Sequence, residues 1–336
     1  MRLLFLFFLF GCATCFAQSN KDFVLVVHGG AGYIGQLAPE AERQYRQGLE
    51  NALYAGYAIL EKGGSALDAV QAAIQILEDD SLFNAGRGSV FSYEGKNEMD
   101  ASIMDGRNLK AGAVAGITNI RHPICAARAV MEQSPHVMLA GSGAAIFAAA
   151  HGCDTISPAW LHTQKSWEAG LKARQKIDSL ERIKAQKTGS IPSHIRVEKY
   201  GTVGAVALDQ QGNLAAGTST GGMSGKRWNR IGDSPIIGAG TYASNKSCAV
   251  SCTGWGEMFI RLVMAKSVCD RMELAGQSLE VAAQEMIYQQ LPALGGDGGL
   301  IAVDKDGKIS MPFNTGSMLR GSIRKGEKAK TFIGKE

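Results

Sequence analysis

A mixed α and β fold is predicted for this chain of 336 residues by three observations. Short apolar or alternating segments bounded by glycine recur along it, the pattern of strands. Longer segments between them carry apolar residues at helical spacing. The strands come in two runs, each followed by paired helices, an order that suits helices packed on both sides of stacked sheets.

The elements follow in order. Residues 1–10 are a short basic start and an apolar run, Met1-Arg2-Leu3-Leu4-Phe5-Leu6-Phe7-Phe8-Leu9-Phe10, too short to span a bilayer comfortably. They read as a secretory signal peptide at 1–17 that ends in Cys15-Phe16-Ala17, which predicts a secreted or periplasmic protein with no stable membrane span. Cys12 after Leu9-Phe10-Gly11 offers a lipoprotein anchor as a lesser alternative, because the bulky Phe10 suits that site poorly. About 319 residues then remain, enough for one large or two modest domains.

A strand is predicted over 23–27, running into His28-Gly29-Gly30-Ala31-Gly32. A helix over 40–61 stops at Gly63-Gly64, and Ser65 caps the next, 66–77. Strands at 101–104 and 111–117 precede helices at 123–132 and 143–150. The stretch 165–199 holds nine Lys/Arg against four Asp/Glu. It reads as a polar helix through Leu180 and Ile183 that breaks into Thr188-Gly189-Ser190-Ile191-Pro192-Ser193, so 165–201 is expected to be a mobile linker. Connections of this length are uncommon unless functional or disordered, which favours a processing region. Strands at 203–208 and 214–217 flank the turn Gln211-Gly212-Asn213 as a hairpin. A strand at 248–252, helices at 257–273 and 279–291, and strands at 299–303 and 308–311 complete the pattern.

Composition excludes several functions. The formal charge of +4 falls to +3 without Arg2 and lies largely in the linker, so nothing argues for nucleic-acid binding. Five cysteines follow the leader, Cys125, Cys153, Cys248, Cys252 and Cys269, and the odd number precludes complete intrachain pairing. Cys248 and Cys252 share a strand face but are too far apart to pair, and buried free thiols are expected. No histidine stands at zinc-ligand spacing from them, and His122, His136, His151, His162 and His194 show no such spacing among themselves. The glycines after Val27 lack the G-x-G-x-x-G spacing, and no acidic residue follows a second strand about 20 residues on, so a nucleotide site is not supported. Asp100 and Asp105 bracket a buried strand and read as turn residues rather than an acid/base pair.

The chemistry concentrates at Gly201-Thr202. A threonine hydroxyl is a weak nucleophile until a base is placed beside it, and an α-amine with a reference pKa of about 8 is such a base. A cut before Thr202 would give both groups to one residue, and small neighbours would let a substrate approach. The blocks HGGAG at 28–32, Leu82-Phe83-Asn84-Ala85-Gly86, DASIMDG at 100–106, Ser219-Thr220-Gly221-Gly222, Arg230-Ile231-Gly232-Asp233-Ser234-Pro235, Cys252-Thr253-Gly254-Trp255-Gly256-Glu257 and Pro312-Phe313-Asn314-Thr315 occur in order around it. Together they resemble the plant-type asparaginase/isoaspartyl peptidase family of N-terminal-nucleophile hydrolases over nearly the whole chain.

That resemblance implies an α+β fold, the four-layer αββα sandwich, cut into an α subunit of 18–201 and a β subunit of 202–336 that pair as (αβ)₂. It implies Thr202 as the nucleophile released by self-cleavage, and Thr220 as the hydroxyl that polarises it. Thr253 and the N–H of Gly254 become the oxyanion donors, and the Gly256 carbonyl accepts from the substrate amine. Arg230 is implied to fork onto the α-carboxylate of an aspartyl substrate and Asp233 to take its ammonium. Asn84 is implied to orient the nucleophile's amine. The carbonyls of Leu77, Glu78, Asp80, Phe83, Ala85 and Arg87 are implied to wrap a structural sodium ion, with no cofactor for catalysis. Arg87 and Trp255 depart from the residues usual there and are expected to reshape the pocket mouth. His28 is expected to support the core rather than act as a base, since the amine already fills that role.

The implied reaction is hydrolysis of isoaspartyl dipeptides and of the side-chain amide of L-asparagine. The glycosylasparaginase branch is the alternative within the class, kept open by the leader, although HGGAG and Gly298-Gly299-Leu300-Ile301-Ala302-Val303-Asp304 fit the isoaspartyl branch better. A non-catalytic binding relative is a further alternative, opposed by the intact Thr202, Thr220, Arg230, Asp233 and Thr253.

Overall fold

The computed structural model describes residues 22–32, 37–186 and 201–335. The expected leader and Cys12 lie outside the described residues, as does the whole stretch between Gln186 and Gly201.

Two sheets carry the fold. The larger contains β1 (Val24–Gly32), β2 (Met99–Asp105), β3 (Ala111–Ile117), β4 (Met138–Ala140), β5 (Val203–Leu208), β6 (Leu214–Thr220), β11 (Ser317–Arg324) and β12 (Lys330–Ile333), in the order β12-β11-β1-β5-β6-β2-β3-β4. The smaller contains β7 (Thr241–Ala243), β8 (Cys248–Gly254), β9 (Gly298–Asp304) and β10 (Ile309–Ser310), in the order β10-β9-β8-β7. Helices α1 (Pro39–Glu61), α2 (Ala66–Asp79), α3 (Pro123–Gln133) and α4 (Gly141–Ala150) form one group, followed by the short α5 (Pro158–Leu161) and the long α6 (Gln164–Gln186). The last group is α7 (Gly256–Leu262), α8 (Met264–Ala275), α9 (Leu279–Glu285) and α10 (Leu291–Ala293).

Alternation in β1 shows how the layers arise. Leu25 and Val27 face a core shared with Leu49, Leu53, Ile74 and Phe83 of the first helices and their loop, whereas Val24 and Val26 face Val206, Ala249, Ile301 and Met318 between the sheets. Successive strand residues point to opposite faces, so one apolar run fills two cores. A third core, with Val250, Cys252, Phe259, Val268 and Ile287, joins the smaller sheet to the last helices. The result is an αββα sandwich.

The site depends on the centre of the larger sheet. β5 and β6 form the expected hairpin, Val203 opposite Ser219 through Leu208 opposite Leu214. Its turn is closed by Asp209, whose Oδ1 accepts the N–H of Gln211 at 3.0 Å and of Asn213 at 2.8 Å. β1 lies antiparallel on β5, with His28 opposite Gly204, and β2 lies on β6, with Asp100 opposite Thr220. Thr202, at the leading edge of β5, therefore faces the ends of β1, β6 and β8.

Several elements differ from the sequence pattern. β1 continues through the glycines to Gly32, and the apolar-plus-polar segments that form β4, β7, β11 and β12 carry no clean alternation. The helix predicted over 257–273 breaks at Val263, which takes φ 46°. The first amides of α8 are captured by the preceding turn, Ala265 N–H on Ala239 O and Lys266 N–H on Gly238 O, so tertiary bonds replace the helical ones. The helix predicted over 279–291 widens into a π turn over Met286–Gln290 just before Pro292, which cannot donate and crowds the preceding turn. Asp105 does close a turn, accepting the N–H of Arg107 at 2.9 Å. Asp100 is no turn residue; it is wholly buried in β2, where Oδ1 accepts the N–H of Gly116 at 2.7 Å.

The polar stretch before Thr202 starts as α6. Its first turn is anchored by Ser166 Oγ on Gly88 O at 3.1 Å and by Trp167 edge-on to Phe91 at 5.1 Å. Further along, Asp178 accepts the Tyr93 hydroxyl at 2.6 Å.

Candidate active site

Three threonines from three strands meet at the start of β5. Thr202 is buried, 8 % exposed, and its Oγ1 donates to Thr220 Oγ1 at 3.1 Å. Thr220, the last residue of β6, also accepts the N–H of Gly222 at 3.0 Å, which fixes its hydroxyl at the turn that follows. Thr253 of β8 accepts two backbone N–H groups on Oγ1, from Thr202 at 3.3 Å and Ala31 at 3.1 Å. Two donors fill the acceptor capacity of a hydroxyl oxygen, so the Thr253 proton is left to donate. That is the property an oxyanion donor needs.

The backbone before Thr202 is held as tightly. Gly30 has φ +114°, and a Cβ there would stand 2.3 Å from Gly201 Cα. Only glycine allows the β1 backbone to lie against the Gly201-Thr202 peptide. His28, wholly buried, makes two bonds: Nδ1 with Thr202 O at 2.9 Å and Nε2 with Ser251 Oγ at 3.0 Å. A carbonyl accepts only, so Nδ1 carries the proton and Nε2 accepts from Ser251. Burial pushes the His28 pKa down to about 3, so the ring is neutral. Both ring nitrogens are engaged, and the ring grips the carbonyl of the nucleophile, a contact beyond the core support expected of it. Nothing in the local sequence signals this contact, which joins residues 174 apart.

A cleft opens beside Thr202 and Thr220. It is also lined by Met223, Arg230, Asp233 and Trp255. Asp233 is buried, and its Oδ2 has no hydrogen-bond partner among the described residues. Burial raises its pKa to about 7 against the pull of Arg230. A buried carboxylate oxygen without a partner, in a cleft, is arranged to meet a cation. Arg230 stands beside it, its Nε and Nη2 donating to Glu257 Oε1 and Oε2 at 3.0 and 2.9 Å. Gly256 lies against both: a Cβ there would stand 2.8 Å from Arg230 Nη2 and 3.0 Å from Asp233 Oδ1. Gly254 is equally confined, 2.6 Å from Asp297 O by the same measure.

Asn84 braces the neighbouring turn. Its Nδ2 donates to Gly222 O at 2.8 Å and its Oδ1 accepts the N–H of Val90 at 3.0 Å. Beneath the turn lies Lys226, buried, with Nζ on Glu98 O at 2.7 Å; burial holds its ammonium below the ordinary range, opposed by Asp100. Sequence reading passed over Lys226 and the Arg230–Glu257 pair, because each joins segments that look unrelated along the chain.

The loop after α2 bends around its own carbonyls. Gly86, with φ +50°, lies against Glu78 O, and Gly88 against Phe83 O, so a Cβ at either position would collide. Of the carbonyls implied to hold sodium, those of Asp80, Phe83 and Ala85 accept the N–H groups of Phe83, Ala85 and Gly88, and carbonyl oxygens as a class suit a hard cation. Trp255 does line the cleft, but Arg87 does not; its guanidinium lies 5.6 Å from the centre of the Trp160 ring instead. All five described cysteines are unpaired, and Cys248 meets Cys269, Sγ to Sγ 3.2 Å, rather than Cys252.

The family model described as Asparaginase matches residues 21–333. The isoaspartyl peptidase of Escherichia coli is 47% identical over 315 residues, covering 93% of this chain and 96% of that protein. The isoaspartyl peptidase/L-asparaginase of Bos taurus is 43% identical over 304 residues, 90% of this chain and 94% of that protein. A plant-type L-asparaginase of Pyrococcus abyssi is likewise 43% identical over 304 residues, 90% and 96% of the two chains.

Proposed function

The chain belongs to the asparaginase family, and on that premise we propose that it is a threonine hydrolase that cleaves isoaspartyl dipeptides and the side-chain amide of L-asparagine, releasing L-aspartate. The observation that carries the reading is the convergence on one cleft of Thr202, its hydroxyl partner Thr220 and the opposed charges of Arg230 and Asp233, with the donor Thr253 bonded to the Thr202 N–H.

The chemistry begins with the chain's own bond. Thr202 Oγ1 attacks the Gly201 carbonyl carbon, the Gly201–Thr202 C–N bond breaks, and an ester to Thr202 forms while its nitrogen leaves as an amine. Water hydrolyses the ester. The α-amine of Thr202 then serves as base in turnover, taking the proton from Oγ1 as that oxygen attacks the substrate's side-chain carbonyl. The developing oxyanion is met by the Thr253 hydroxyl and the Gly254 N–H. The leaving amine departs with a proton, and water releases L-aspartate from the aspartyl ester. Throughout, Arg230 holds the α-carboxylate, and Asp233 with the Gly256 carbonyl holds the α-ammonium.

The carbonyls of the 77–87 loop would hold a sodium ion, which when bound supplies rigidity to the segment that carries Asn84. Asn84 in turn braces Gly222, whose N–H bonds the Thr220 hydroxyl that accepts from Thr202. The leader and the tetrameric (αβ)₂ assembly complete the proposal: a secreted or periplasmic enzyme of two cut heterodimers. No helix among the described residues is long and apolar enough to cross a membrane.

Denaturing mass spectrometry of wild type and Thr202→Ala tests the scheme. Wild type should give two fragments that meet at Gly201-Thr202 and should hydrolyse β-aspartyl dipeptides. Thr202→Ala should stay a single inactive chain, and a cut, active variant would overturn the assignment of the nucleophile.

A further inference from the structure

We infer that Glu257 is a positioning residue of the substrate clamp, fixing the Arg230 guanidinium so that its Nη1 side is presented to the α-carboxylate in the cleft. This rests on the functional reading above, because it takes Arg230 to meet a carboxylate.

The geometry separates the two sides of the guanidinium. Glu257 takes the Nε–H and an Nη2–H as a fork, at 3.0 and 2.9 Å. Such a bidentate pair fixes the plane as well as the position of the arginine. Nη1 lies on the other side, against Gly232, where a Cβ would stand 2.8 Å from it. Arg230 and Gly232 both line the cleft, whereas Glu257 is not among its lining residues. The carboxylate therefore grips the guanidinium from behind.

Chain order adds the second argument. Glu257 follows Thr253-Gly254-Trp255-Gly256, so the segment that carries the oxyanion donors also carries the brace of the arginine. The distance between the grip on the α-carboxylate and the attacked carbonyl is then set by one short stretch of chain. Gly256 is what lets this stretch pass between Arg230 and Asp233.

A carboxylate already on Arg230 weakens its pull on a second one, so the benefit of Glu257 is orientation rather than charge. The opposite idea is that Glu257 occupies the place of the substrate and must be displaced. The two differ in sign: loss of a brace raises KM, and loss of an internal competitor lowers it.

The test uses the cut enzyme with Glu257→Gln and Glu257→Ala, cleavage being verified by mass spectrometry. With β-aspartyl dipeptides and L-asparagine, both variants should raise KM by about tenfold or more while kcat stays within about threefold. With a β-aspartyl dipeptide whose α-carboxylate is capped as the amide, the penalty should shrink to about twofold or less, since Arg230 then has no carboxylate to grip. A merely structural role would impair both substrates alike and would overturn the inference, as would an unchanged or lowered KM. Wild-type protein inactive on every substrate would sink the functional reading and take this inference with it. An active wild type with indifferent Glu257 variants would remove Glu257 alone.

Discussion

Thr253 Oγ1 accepts the N–H of Thr202 at 3.3 Å, so the candidate oxyanion donor is bonded to the very peptide that is to be cut. A second N–H, from Ala31, occupies the same oxygen and turns the hydroxyl proton away from both. Thr253→Val keeps the shape and removes the donor, and kcat should fall on the order of 10²- to 10³-fold. Thr253→Ser keeps the hydroxyl and should retain most activity. Steady-state kinetics on the cut variants decides; a fully active Thr253→Val enzyme would mean that the oxyanion is met elsewhere.

Asp233 gives a prediction about protons. Burial raises its pKa to about 7, and its Oδ2 awaits a partner. An α-ammonium bound there favours the ionised form, so binding should drive off whatever proton the free carboxyl holds. Near pH 7 the free site is about half protonated, and binding of L-aspartate should release about half a proton. The release should fade as pH rises above 8. Calorimetry in buffers of different ionisation enthalpy measures it directly, and Asp233→Asn should abolish it. An equal release from Asp233→Asn would assign the proton to another group.

Gly30 allows the scissile peptide to lie where it does. A Cβ at Gly30 would stand 2.3 Å from Gly201 Cα and 3.1 Å from Thr202 N, and its φ of +114° is one that L side chains rarely adopt. Gly30→Ala should therefore yield chain that is cut slowly or not at all. The control is Gly63→Ala, also at positive φ but with nothing within 4 Å of the added Cβ. It should cost about 1 kcal/mol from backbone strain alone and mature normally. Denaturing gels over time separate the two outcomes, and equal maturation would show that the Gly30–Gly201 approach is dispensable.

Thr202 stands out in the sequence as a threonine after glycine at the start of a strand, whereas Thr220 and Thr253-Gly254 are placed at the site by the ordered blocks that carry the family resemblance, not by turn chemistry of their own. The hairpin that carries the first two followed from alternation around Gln211-Gly212-Asn213. What escaped are features made by long-range contacts. β11 was missed although it pairs with β1 along most of its length, because it contains Arg320. That side chain is buried between the rings of Phe313 and Phe332, 4.9 and 5.3 Å from their centres, an environment that no local pattern announces. Val263 breaks a helix whose periodicity is continuous, because the Gly238-Ala239 turn captures the amides beyond it. His28 and Glu257 were invisible as partners of Thr202 and Arg230 for the same reason: hydrogen bonding between distant segments leaves no spacing to read.

His28 supplies the last prediction, on stability. Its pKa falls from 6.5 to about 3 on folding, chiefly through burial, while its bond to the Thr202 carbonyl opposes the fall. The unfolded chain therefore binds a proton below about pH 6.5 that the folded protein refuses. The sign follows: this contribution to stability is complete above pH 6.5 and is lost as pH drops toward 3, at up to about 1.4 kcal/mol per pH unit. Glu78 and Asp233 oppose it, because burial raises their pKa values to about 8 and about 7, so their protonation on acidification favours the fold. His28 must be isolated by difference. Gln at this position can donate to Thr202 O and accept from Ser251 without titrating. Urea unfolding of wild type and His28→Gln from pH 7 to pH 4 should show the wild type losing stability relative to the variant as pH falls. Parallel pH profiles would mean that the imidazole is protonated in the fold, so that Nε2 donates to Ser251 rather than accepting from it.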